Sequence, residues 1–163
     1  MADAWHGIAS CYFELGRELD AISYVKKSIK LDEFNPEYHY LLGEAQSTLG
    51  FQSEALESFK KVYDLDPENE TILIDLANAS KELNDNEEAM NYYILGVQNQ
   101  SKNGKLLYNF VAFLLQKGDL INAMFYLDLA LKNYYDEKDE LFEAYGEAKY
   151  NPQVIELLEY YKN

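Results

Sequence analysis

The sequence predicts an all-α fold, a stack of about five helix-turn-helix units of 34 residues each. Three observations predict it. First, the stretch 36–69 holds two amphipathic patterns, split by Gly50 and closed by Asp66-Pro67, and its 34-residue frame lies over the rest of the chain without an insertion. Second, that frame aligns Gly16, Gly50, Asn84, Gly118 and Pro152. Gly takes φ > 0 after a helix without steric cost and Asn is next best, so this column reads as the turn inside each unit. Third, the frame lines up apolar residues on one arc of each helix at about 100° per residue.

The elements follow in order. Helices are expected over 2–15 and 18–31, 36–49 and 52–65, 70–83 and 86–99, 104–117 and 119–133, 138–149 and 152–162. On the first helix of each pair the inward positions are Trp5, His39, Leu73, Leu107 and Leu141, then Ile8, Leu42, Leu76, Phe110 and Ala144. Beside them run Ala9, Gly43, Ala77, Val111 and Tyr145. On the second helix Ala21, Ala55, Ala89, Ala123 and Leu157 mark a close approach, and Val25, Phe59, Tyr93, Leu127 and Tyr161 follow one turn later. Pro152 departs from the turn column and reads instead as the first turn of the last helix, where a missing N–H costs nothing. No linker or low-complexity tract interrupts the units, so one domain is read over 1–163, with repeats at about 2–35, 36–69, 70–103, 104–137 and 138–163.

Composition limits the function. The 163 residues are 48% hydrophobic and 26% charged, which suits a folded chain. Lys plus Arg is 14 against 29 for Asp plus Glu, a net charge of −15. Nucleic acid is disfavoured, because its binders carry a basic face, and anionic membrane is disfavoured for the same reason. A basic protein or peptide partner is electrostatically easier. Cys11 stands alone, so neither a disulfide nor a zinc set is available, and no signal peptide or membrane-spanning run is visible. A reducing, cytoplasmic setting is the default.

No catalytic constellation emerges. His6 and Cys11 face about 140° apart on a helix, so they make no nucleophile–base pair. Cys11 shares a column with Ala45, Ala79 and Phe113 and is expected to be packed; His39 is also read as a core residue. Asp64, Asp66, Glu68 and Glu70 alternate like calcium-loop ligands but lack the loop's central Gly. The sequons beginning at Asn69, Asn78 and Asn99 read as chance matches. Neither a metal nor a cofactor is expected.

The residues Trp5, Tyr12, Gly16, Ala21, Leu42, Gly43, Gly50, Ala55, Phe59, Pro67, Leu76, Ala77, Ala89, Tyr93, Gly118, Ala123 and Ala130 resemble the tetratricopeptide repeat motif. The resemblance covers essentially the whole chain. It implies a right-handed α-α superhelix and a non-catalytic scaffold, whose first helices line a concave groove that grips peptides or partner helices. The groove face comprises Asp3, Gly7, Ser10 and Glu14; Glu37, Leu41, Glu44 and Thr48; Thr71, Asp75, Asn78 and Glu82; Lys105, Asn109, Ala112 and Gln116; and Asp139, Glu143, Gly146 and Tyr150. It holds eight carboxylates and one lysine. Along its edge runs a ladder of His6, Tyr40, Ile74, Tyr108 and Phe142, read either as a binding edge or as ordinary packing. Carboxylates beside aromatic rings suit a partner with Lys or Arg and apolar anchors. The expected contacts are Tyr40, Glu44, Asp75, Asn78, Tyr108 and Asn109.

The family's best-known peptide mode clamps a C-terminal carboxylate with Lys, Asn and Arg. The corresponding positions here hold His6, Ser10, Leu41, Thr71 and Asp75, so that mode does not carry over. A second column, Tyr24, Ser58, Tyr92, Tyr126 and Tyr160, is expected to be half-buried packing. An alternative role is structural. Ala4, Ile8 and Cys11 lie where a preceding repeat would stack, so the chain reads either as part of a longer array, or a self-associating one joined through its terminal repeats, or as a native start with a mildly apolar first face.

Overall fold

The computed structural model describes residues 1–69, 71–99 and 104–162. The expected helix start at 70, Glu70 of the acidic alternation, and Gln100 and Ser101 of the third sequon lie outside the described residues. The described residues form ten helices and no strand. They are α1 (Ala2–Glu14), α2 (Glu18–Leu31), α3 (Pro36–Thr48), α4 (Gln52–Leu65), α5 (Ile72–Glu82), α6 (Asn86–Gln98), α7 (Gly104–Gln116), α8 (Leu120–Tyr134), α9 (Asp139–Ala144) and α10 (Pro152–Lys162).

The turn column behaves as its residue types require. Gly16, Gly50 and Gly118 have φ of 67°, 80° and 76°, and Asn84 has φ 61°. Side chains close the helix starts. Asn35 Oδ1 accepts from the Glu37 N–H at 2.9 Å, with Pro36 opening α3. Asp85 Oδ1 accepts from the Glu88 N–H at 2.9 Å, and Asn151 Oδ1 accepts from the Gln153 N–H at 3.0 Å. Each such cap satisfies a donor the helix leaves open. Pro152 opens α10, as expected.

The chain packs as two compact units, residues 1–92 and 93–163. In the first, α1 pairs with α2 and α3 with α4, while α2 packs on α3 and α4 on α5. Its core includes Ala9, Ala21, Val25, Tyr38, Leu42, Ala55, Phe59 and Leu76. The fully buried alanines at 21, 55 and 89 are the close-approach column. In the second unit α7 pairs with α8 and packs on α9, and α8 packs on α10. There Tyr93 stacks on Phe110 at 5.2 Å and Phe110 meets Tyr126 at 4.7 Å.

Two expectations fail at the ends. The helix expected over 138–149 is broken: α9 stops at Ala144, Tyr145 is extended (φ −149°, ψ 90°), and 146–150 form a 3₁₀ turn. The reason is a ring at a close-approach position. Ala9, Gly43, Ala77 and Val111 fill that column in the earlier repeats, whereas Tyr145 packs half-buried against the core from an extended backbone and hydrogen-bonds Glu147 at 2.9 Å. Gly146 adds a weak helix former at the same point. Cys11 is the second correction. It is exposed, while its counterparts Ala45, Ala79 and Phe113 are buried. No described helix covers that side of α1, and Ile8 is likewise 39% exposed where Leu42 is 9% exposed.

Candidate functional site

In the first unit the helices α1, α3 and α5 carry a groove. One stretch of about 380 Å³ is lined by Glu44, Asp75, Asn78 and Glu82 over a floor that includes Phe13 and Phe59. A neighbouring stretch of about 560 Å³ is lined by His6, Ser10, Glu37, Tyr40, Leu41 and Glu44. Glu44 belongs to both, so the two join along α3. The described lining residues of these stretches include five different carboxylates, Glu37, Glu44, Asp66, Asp75 and Glu82, and no Lys or Arg. Lys81 reaches the rim, where its Nζ donates to Asn78 Oδ1 at 3.3 Å.

Tyr40 stands at the centre. Its ring lies 5.9 Å from that of Phe59, and its hydroxyl interacts with the carboxylates of Asp75 and Glu44. Burial, then the two negative charges, pushes the Tyr40 phenol well above its ordinary value. Burial also pushes the Glu44 carboxyl upward, and the bond from Tyr40 opposes that shift. The arrangement keeps a neutral phenol beside two half-buried carboxylates. Both acids sit where water is partly excluded, so an incoming cation meets more than the screened charge of an open surface.

Four of the six expected contacts, Tyr40, Glu44, Asp75 and Asn78, therefore meet in the first unit. Asn109 lies in the second, half-buried, with its Nδ2 donating to the Lys105 carbonyl at 2.9 Å. Tyr108 does not present itself to a partner. It is 0% exposed, and its hydroxyl donates to the Tyr134 carbonyl at 2.9 Å. The ladder is thus divided. Ile74 and Tyr108 are core, His6 packs on the Tyr38 ring at 5.0 Å while lining the acidic stretch, and Tyr40 sits beside Glu44 and Asp75. Leu41 and Ala112, counted on the groove face, are buried as well. The second tyrosine column packs half-buried at Tyr24, Tyr92 and Tyr126, with Ser58 buried, but Tyr160 is 74% exposed. His39 is buried as expected, with Nε2 2.9 Å from the Glu33 carbonyl.

Sequence reasoning missed Tyr38. It is buried, and its hydroxyl donates to Asp3, tying α3 to α1 and engaging one of the acids assigned to the groove. That bond, with burial, pushes the Tyr38 phenol up to about 12. A signal existed: Tyr38, Ile72 and Leu106 share one repeat position, and all three are buried. Phe13 was missed too, because its column continues with the polar Ser47 and Lys81.

Comparison with known proteins agrees with the repeat fold. Models described as tetratricopeptide repeat match residues 2–35, 36–69 and 53–98, which together span more than half the chain. The chain belongs to the tetratricopeptide repeat family. Among solved structures it is similar to MamA protein, at 20% identity and TM-score 0.71, covering 88% of this chain and 76% of that one. It is also similar to YrrB, a TPR protein with an unusual peptide-binding site, at 17% identity and TM-score 0.69, covering 99% and 84%. At these identities the likeness is one of fold, the α-α solenoid. No curated protein matches in sequence. Family and fold support a protein-interaction scaffold, and repeats of this family are generally non-catalytic. Among the described residues no helix is long and apolar enough to cross a membrane.

Proposed function

We propose that the groove over α1, α3 and α5 binds a basic segment of a partner protein, with Tyr40, Glu44, Asp75 and Asn78 as the contacts; Asn109 is proposed separately, as a contact made by the second unit on its own. The observation that carries this reading is Tyr40 held between Glu44 and Asp75 in a groove whose described lining carries acids and no Lys or Arg. An arginine or lysine of the ligand would pair with the carboxylates, and its apolar neighbour would rest on the Tyr40 and Phe59 rings. The peptide-binding site of YrrB gives a precedent within the same fold. The test is fluorescence anisotropy with a labelled peptide that alternates Arg with Leu and Trp. Glu44→Lys with Asp75→Lys should weaken binding about tenfold or more and flatten its salt dependence. Equal binding by the double variant refutes the assignment.

A second reading rests on α1. Ile8 and Cys11 are exposed at positions whose counterparts are buried in the inner repeats. That face would stack on another repeat, in a longer array or in a second copy. Loss of a sedimenting dimer on Ile8→Glu supports it; a wild-type chain that sediments as a monomer at high concentration counts against self-association.

A further inference from the structure

The second helix of each hairpin turns one face to solvent, and the repeats show what that face normally carries. At one position the chain reads Leu19, Ser53, Glu87 and Ile121; four residues later it reads Ser23, Glu57, Asn91 and Phe125. All eight are exposed. Only α8 places large apolar residues at both, with Ile121 85% and Phe125 65% exposed. They lie one turn apart on the same face. The Phe125 ring meets the Tyr126 ring edge-on, with centroids 5.2 Å apart.

The pair borders a groove between α8 and α10. On a helical wheel Met124, Asp128, Ile121 and Phe125 span about 100° in that order, so the groove wall and the apolar crest are continuous. The groove holds about 560 Å³ and is lined by Met124, Leu157 and Tyr160, with Asp128 and Glu156 among them. Asp128 is fixed by the Tyr161 hydroxyl at 2.8 Å. Lys132, a turn beyond Asp128, is the basic residue of this face of α8.

We propose that this surface docks an amphipathic basic helix of a second protein, independently of the groove on the first unit. An apolar crest beside two carboxylates matches a helix whose apolar stripe is flanked by Lys or Arg. The charges argue against a second copy. Each chain carries −15, and copies joined here would set Asp128 and Glu156 near their own counterparts.

The test uses the full chain and a fluorescein-labelled amphipathic peptide of leucine and lysine in helical order, with a scrambled peptide of the same composition as control. Ile121→Ser with Phe125→Ser changes exposed residues only, and its thermal melt verifies folding. The ordered peptide should bind at least about tenfold more tightly than the scrambled one. The Ile121/Phe125 variant should lose that advantage, and Glu44→Lys with Asp75→Lys should keep it. Unchanged binding by the Ile121/Phe125 variant overturns the proposal, as does equal binding of the scrambled peptide. A wild-type dimer that this variant converts to monomer also overturns it, by assigning the face to a second copy.

Discussion

Tyr40→Phe removes one oxygen and leaves the ring on Phe59, so it isolates what the hydroxyl contributes beside Glu44 and Asp75. A hydrogen bond to a charged group contributes about 1.5–3 kcal/mol. Both carboxylates are half-buried, so water recovers part of that, and a loss of about 1 kcal/mol at neutral pH is expected. The pH dependence gives the sharper signature. Folding raises the Glu44 pKa, so its contribution to stability is complete below the unfolded-chain value and is lost as pH rises through the folded one. The Tyr40 hydroxyl holds that rise in check. Without it the Glu44 carboxyl should titrate still higher, and the cost of the substitution should grow from acid to neutral pH. Urea denaturation at about pH 3 and pH 7 measures the first effect, and a carboxyl-carbon NMR titration of Glu44 measures the second. An equal cost at both pH values, or a Glu44 that titrates lower in the variant, refutes the reasoning.

Three further outcomes follow from the packing. A Cβ on Gly43 would lie 2.5 Å from Phe59 Cε1, so Gly43→Ala should lose about 1 kcal/mol net of its helix propensity gain, whereas Gly7→Ala, which meets nothing within 4 Å, should gain about as much; urea midpoints check both. Tyr93→Phe should stabilise by about 1 kcal/mol in the same assay, because the Tyr93 hydroxyl is buried without a hydrogen-bond partner among the described residues. Raised phenols contribute stability that is complete below the unfolded tyrosine value of about 10 and lost as pH climbs through their folded values. Tyr38, at about 12, and the still higher Tyr93 and Tyr108 should therefore ionise late, and phenolate absorbance should rise together with alkaline loss of helical circular dichroism.

The repeat made the inner fold legible because each buried column was sampled several times. Ala21, Ala55, Ala89 and Ala123 repeat one packing demand, and all four are fully buried. The ends escaped because burial there depends on a neighbour the column cannot supply. Cys11 and Ile8 carry inner-repeat residue types but have no described helix over them. Tyr145 stands where smaller residues pack in the other repeats, and there the backbone turns extended while the ring packs half-buried on the core. In the groove, Glu44, Asp75 and Asn78 could be placed from helical phase alone. The approach of the Tyr40 hydroxyl to Glu44 and Asp75 could not, because it depends on where α5 sits against α3.

Tyr40 and Tyr108 show why a column predicts position better than exposure. They occupy the same repeat position, 68 residues apart, and were read alike. The difference lies after the second helix of each hairpin. Behind α4 the chain reads Asp66-Pro67-Glu68-Asn69, and Pro67 cannot continue a helix, so the chain leaves at Asp66. Two repeats on, the aligned residues are Tyr134-Tyr135-Asp136-Glu137, with no proline. There α8 runs to Tyr134 and continues as a 3₁₀ turn to Glu137. The Tyr134 carbonyl accepts the Tyr108 hydroxyl, and that phenol is sealed into the core. Among the described residues none accepts the Tyr40 hydroxyl in that way, and it lies beside Glu44 and Asp75 instead. Pro67 is a structural residue of the repeat motif, yet by stopping the helix it leaves the groove open at Tyr40, beside Glu44 and Asp75.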